Sequence, residues 1–258
     1  PVAPAFAADH PGAPATGTAR VETRIDAGLT RKVLEEVPAA YPVTSEELLV
    51  AALYLAVRGH GGSPAVGLEM ESHGRAELGD ADLSRTTGWL TALYPVHLET
   101  AGDDPGAVLR MVKDTLRAVP RDGVGYGALR HLRRTLPARP GPGLRFNYHG
   151  RGGAMLSDAA LFRPAPESAG PVSAAENPRD TELEVNAMVP GDALRLGWSF
   201  APARMDTATV ERIAGSFTLW LDRLAAHCLD GGGAGFTPAG FPDMEFGQDE
   251  LDDLLQSL

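Results

Sequence analysis

Two hydrophobic periods alternate along this chain, and their order restricts the fold more than any other feature of it. Leu183, Val185, Ala187 and Val189 occupy every second position, Pro190-Gly-Asp192 forms a turn, and Leu194, Leu196, Trp198 and Phe200 resume the alternation, which predicts an antiparallel hairpin. Directly after it the spacing changes to Val210, Ile213, Phe217, Leu221 and Leu224, the stripe of a long amphipathic helix. The same change of period recurs upstream. Val21 to Ile25 alternates as a strand, and Leu29 to Val37 has the spacing of a short helix stopped by Pro38. Thr44 and Glu47 stand at capping-box spacing, with Leu49, Leu53, Ala56 and Val57 on one helical face as far as a break at Gly59. Val66, Leu68 and Met70 alternate with Gly67, Glu69 and Glu71, predicting a half-buried strand with its acidic side chains on the other face and Glu71 at its end.

Leu93 to Leu98 reads as a further strand. Asp104-Pro105 opens a helix that turns Val108, Met111, Val112, Leu116 and Val119 to a core, and Pro120 ends it. Gly123 to Gly127 predicts a flexible turn, Ala128 to Leu136 a basic helix, Pro137 to Gly143 a loop, and Leu144 to Tyr148 a strand. A glycine-rich loop at Gly231 to Gly235 precedes a last short helix at Asp249 to Leu258. Strands interspersed with helices, with at least one hairpin, predict an α/β sandwich built on a mixed sheet.

Composition removes several classes of function. The 258 residues carry a formal net charge of −11 and no basic block interleaved with aromatics, so nucleic acid is not an expected partner. Cys228 is the only cysteine, which excludes an internal disulfide and a thiolate metal site. No apolar run is long enough to span a bilayer, and the expectation is a soluble, cytoplasmic protein with no membrane partner. Residues 1–19, rich in Ala, Pro and Gly, read as a linker cut from within a longer chain, and residues 20–258 as the folded lobe. There is no phosphate-binding loop, dinucleotide fingerprint, nucleophile elbow or metal-spaced histidine pair. Gly123-Val-Gly-Tyr-Gly127 lacks the strand-loop-helix setting of a phosphate site and reads as a turn needing positive φ. Arg130, Arg133 and Arg134 read as a solvated helix face.

Four motifs remain: Glu71-Ser-His-Gly-Arg75; Arg85-Thr-Thr-Gly-Trp89 followed by Tyr94-Pro-Val96; Pro120-Arg-Asp-Gly-Val-Gly-Tyr-Gly127; and Phe146-Asn-Tyr148. In this order and spacing they resemble the C-terminal half of an epimerization domain of a nonribosomal peptide synthetase, within the condensation-domain superfamily. Ser72, Ala76, Thr87, Leu90, His149 and Arg151 depart from residues common in that family. The resemblance implies a chloramphenicol-acetyltransferase-like α/β sandwich and inversion from L to D at Cα of an aminoacyl or peptidyl thioester. That substrate would be carried on the 4'-phosphopantetheine of a peptidyl carrier protein, with no dissociable cofactor and no metal. It selects Glu71, which the residues alone do not separate from Glu69, as one acid/base, and Asn147 and Tyr148 as groups that orient the thioester. His73, Arg75, Trp89, Tyr94 and Tyr126 support the motifs. Arg75 beside Glu71 would lower the carboxyl pKa, whereas burial would raise it. The opposing histidine belongs to a His-His-x-x-x-Asp motif of an N-terminal lobe, a sequence this chain does not contain, so the isolated lobe is expected to be inactive. The alternatives are half of an amide-forming condensation domain and a catalytically silent module that recruits carrier protein.

Overall fold

The computed structural model describes residues 6–75, 82–136, 141–151, 167, 170 and 174–231. Its strands are β1 (Ala19–Arg24), β2 (Ala65–Ser72), β3 (Ala92–Glu99), β4 (Leu144–Arg151), β5 (Leu183–Val189) and β6 (Arg195–Phe200). They form one sheet in the order β1-β6-β5-β4-β2-β3. β4 runs parallel to both of its neighbours and every other pairing is antiparallel, so the sheet is mixed. The helices are α1 (Ala27–Arg31), α2 (Val37–Ala40), α3 (Ser45–Gly61), α4 (Pro105–Arg117), α5 (Val124–Gly127) and α6 (Thr207–Leu229). This is the expected α/β sandwich.

Alternation along the strands divides the sheet into two unlike faces. Leu68 and Met70 of β2, Phe146 of β4, Val185 of β5 and Trp198 of β6 are buried on one of them. There α3 and α6 pack on each other and on the sheet, and α4 joins α3 and β3. Trp198 meets Phe217 of α6 edge to face at 5.6 Å and donates its indole N–H to Thr23 Oγ1 at 3.0 Å. The other face presents Glu69, Glu71, Arg145, Asn147, Glu184 and Asn186.

α3 is the central helix. Thr44 accepts from the Glu47 N–H at 3.1 Å while the Glu47 carboxylate accepts from the Thr44 N–H at 2.7 Å, closing the expected capping box. Every residue from Glu47 to Val57 is buried, a wider contact than the single apolar stripe suggested. Gly59 does not break the helix, because a glycine at αR costs only about 1 kcal/mol. It ends at Gly62 in the left-handed region, φ +66.

Four other expectations are corrected. The helix begun at Ala27 does not stop before Pro38: a π-helical turn at Lys32–Glu36 precedes it, and the proline, which lacks an N–H, enters α2 at the start of a fresh turn. Gly123 to Gly127 is α5 preceded by a 3-10 turn at Pro120–Gly123, with only Gly123 of its three glycines at positive φ. The basic helix is a single π-helical turn, Ala128–Leu132, followed by Arg134 at φ +54. β2 is covered on both faces at its centre, where Gly67 and Glu69 are buried as well as Leu68. The expected helix at 249–258 lies outside the described residues.

Residues 6–18 lie against the lobe: Phe6 is part of the core and its N–H donates to Pro142 O at 2.8 Å. No single helix among the described residues is long and apolar enough to cross a membrane. Residues 27–40 and 45–61 meet that measure only as a pair bent by 115°, and the second of them is the buried α3.

Candidate active site

The parallel pairing of β2 and β4 sets Glu69 opposite Arg145 and Met70 opposite Phe146. With a side-chain period of two, the next residues on the open face are Glu71 and Asn147. Asn147 Nδ2 donates to Glu71 Oε2 at 2.7 Å. Burial pushes the Glu71 pKa up, with Glu184 and Glu69 adding to the rise and Arg145 and His149 opposing it. The opposing arginine is thus Arg145 on the neighbouring strand, not Arg75 as expected from sequence.

Arg75 and His73 hold backbone instead. The Arg75 N–H donates to His73 Nδ1 at 2.9 Å, and its guanidinium donates to His73 O at 3.2 Å and Thr86 O at 3.1 Å. These bonds fasten the segment bearing Trp89 to the end of β2. Gly74 lies between the two, at φ +65, where a Cβ would come within 1.6 Å of Leu90 O, so no other residue fits. A second clamp comes from Ser72, whose hydroxyl donates to Asp122 O at 2.7 Å. Asp122 and Arg121 are non-glycine residues at φ 49 and 50, and Gly123 follows at φ +76, where a Cβ would come within 2.0 Å of the Tyr94 ring.

These elements enclose an open cavity of about 760 Å³ over the C-terminal end of β2. Glu71, Asn147, Tyr148, His73, Trp89 and Tyr94 all line it. Trp89 stands on its rim, 93% exposed. Tyr126 is not brought to this cavity. It lines an adjacent one of about 450 Å³ with Glu69, Arg145 and Asp180, and its hydroxyl accepts from Arg130 at 3.2 Å.

Sequence reasoning missed Glu46, Asp122, His149 and Asn186, which share the Glu71 cavity. Asn186 lies opposite Asn147 on β5 and accepts from His149 Nε2 at 3.2 Å. Glu46 is buried enough that its pKa rises to about 7, with Glu47 and Asp122 adding to the effect of burial. A doubled acid at Glu46-Glu47, of which capping uses only one, was the available signal. Tyr94 is pushed up to about 12 by burial and then by Glu46 and Asp122. The cavity therefore holds two carboxyl groups that take up protons more readily than in water, beside amide and phenol donors, a set suited to moving a proton at carbon, nitrogen or oxygen.

A family model described as Condensation domain matches residues 7–233. A linear gramicidin synthase of Brevibacillus parabrevis is 38% identical over 259 residues, 96% of this chain and 5% of that protein. Chondramide synthase cmdD of Chondromyces crocatus is 35% identical over 260 residues, 99% of this chain and 7% of that protein. Among solved structures, the epimerization domain from the third module of tyrocidine synthetase B superposes with a TM-score of 0.79 at 27% identity, over 89% of this chain and 53% of that one. The X-domain from teicoplanin biosynthesis gives a TM-score of 0.60 at 18% identity, a likeness of fold alone. The chain thus spans about half of the solved epimerization domain and less than a tenth of these two synthases.

Proposed function

This chain belongs to the condensation-domain family, and from that premise we propose that it is the C-terminal lobe of an epimerization domain of a peptide synthetase, with residues 6–18 packed on the lobe and not a free linker as the composition of residues 1–19 suggested. The observation that carries the reading is the Glu71 carboxyl group, held by Asn147 at 2.7 Å and facing the cavity with a raised pKa. The likeness to an epimerization domain at a TM-score of 0.79 supports it.

In this reading an L-aminoacyl or peptidyl thioester enters on the phosphopantetheine of a carrier protein. A proton leaves one face of Cα, the electron pair delocalises into the thioester carbonyl, and a proton returns to the opposite face. Glu71 serves one face and a histidine of the N-terminal lobe serves the other. Asn147 has two amide hydrogens, of which Glu71 takes one, so it positions the acid/base. Tyr148, also on the cavity wall, donates toward the thioester oxygen as charge develops there. His73, Arg75, Trp89 and Tyr94 shape the wall, while Tyr126 supports the neighbouring strand ends.

The family description itself supports a second reading, amide-bond formation. One experiment separates the two. The two-lobed protein is incubated with a carrier-loaded L-aminoacyl thioester, with and without a second loaded carrier, and the released products are resolved by chiral chromatography and mass. Inversion that falls by about 10²- to 10⁴-fold in Glu71→Gln supports epimerization. Amide product without inversion supports condensation, and undiminished inversion in Glu71→Gln removes Glu71 from the chemistry.

A further inference from the structure

Glu46 and Glu47 are adjacent in the first turn of α3, and among the described residues only the Glu47 carboxylate has protein partners. Glu47 accepts from the Thr44 N–H at 2.7 Å and from the Arg117 guanidinium at 2.7 and 3.1 Å. Glu46 lines the Glu71 cavity, and among the described residues no hydrogen bond or ion pair reaches its carboxyl group. Glu46 is half-buried and its carboxyl group opens on the cavity, so a ligand able to donate to it would find an acceptor there that the fold does not use.

The surroundings specify the charge of that ligand. Asp122 faces Glu46 from the 3-10 turn, Tyr94 from β3, and Tyr148 and His149 from β4, with Glu71 and His73 at the end of β2 and Glu47 beside it on α3. No lysine or arginine is among the described residues lining the cavity. The aromatic rings of Trp89, Tyr94 and Tyr148, which line the same cavity, favour a cation over an anion.

We propose that Glu46 is a specificity residue that pairs with an ammonium group borne by the substrate. This rests on reading the cavity as the epimerization site. The ammonium has two chemical sources: the free α-amine of an unacylated aminoacyl thioester, or the side chain of a basic residue. Glu46 loses its proton near pH 7, so pairing strengthens as pH rises through that value.

The test uses the two-lobed protein and pantetheine amides, which replace the thioester with an unreactive amide. Two pairs distinguish the sources: alanyl against Nα-acetylalanyl, and Nα-acetyllysyl against Nα-acetylnorleucyl. Dissociation constants are measured by calorimetry at about pH 6 and pH 7.5, conditions that bracket the Glu46 titration while both amines stay largely charged. The expected result is that the cationic member of one pair binds about tenfold tighter at the higher pH, with the preference shrinking at the lower. In Glu46→Gln the ratio falls to about one at both, and in Glu46→Asp, which restores the charge on a shorter stem, part of it returns. No preference in either pair, or a preference that survives in Glu46→Gln, overturns the proposal. Because binding of the amides needs no turnover, selectivity without inversion would sink the epimerization reading alone, and inversion without selectivity would sink this one alone.

Discussion

Glu69 and Glu71 stand two residues apart on the same face of β2, and their surroundings differ in kind. Glu69, 8% exposed, accepts from Arg145 at 2.8 and 2.6 Å, and Arg145 donates onward to Asp180 at 2.8 Å. Glu71 has a neutral amide for its donor and a raised pKa. A guanidinium in direct contact fixes a carboxylate as an ion and makes it part of the scaffold. An amide holds the group in place and leaves its proton exchangeable. The first turn of α3 repeats the contrast, with Glu47 tied to Arg117 and Glu46 facing the cavity. Within each pair the same residue type is divided between structure and chemistry by whether a cation reaches it.

The comparison breaks first at Arg145. Replacing it with Met leaves the Glu69 carboxylate buried beside an apolar stem, and stability in urea should fall by about 3 to 5 kcal/mol. A loss below about 1 kcal/mol would mean that Glu69 relaxes to water and is no more structural than Glu71. Asn147→Ala should leave the fold in place and lower inversion by the two-lobed protein about 10- to 100-fold. Loss of a donor to the ionised carboxylate also moves the Glu71 titration in the pH–rate profile upward, which a purely structural role for Asn147 would not do. The smallest effect is at Glu46. Its pKa in the fold, about 7, lies above the ordinary 4.5, so the protonated group favours the native state and that contribution is lost as pH rises through 7. Glu46→Gln should therefore gain on the order of 1 kcal/mol over the parent at pH 8, after allowance for solvent in the open cavity, and nothing near pH 4. Equal stability at both pH values would place Glu46 on a par with an exposed side chain.

Much of this architecture was legible because its causes are local. The hairpin β5–β6, the Thr44 capping box and the N-cap at Asp104 each depend on residues a few positions apart. The His73–Arg75 turn is likewise local, and its motif could be seen without knowing the fold. Pro38 misled because a π-helical turn, which no short-range pattern announces, resets the hydrogen bonding before it. The division between Glu69 and Glu71 was illegible for a different reason. Arg145 and Asn147 lie 76 residues downstream of them, and only the register of two parallel strands decides which glutamate meets which partner. Glu46 was missed in the same way, since Tyr94 and Tyr148 reach it from β3 and β4.

The outermost pairing carries a consequence for biosynthesis. β1 is hydrogen-bonded along its whole length to β6, Ala19 opposite Phe200 and Arg24 opposite Arg195. At about 5 to 20 residues per second, the ribosome needs on the order of 10 to 40 s to add the intervening chain. During that interval α3, β2 and β3 emerge while β6 and the α6 helix that packs on α3 are still to be made. The sheet can close on β1 only after β6 has emerged, and α3 is covered later still, when α6 follows it.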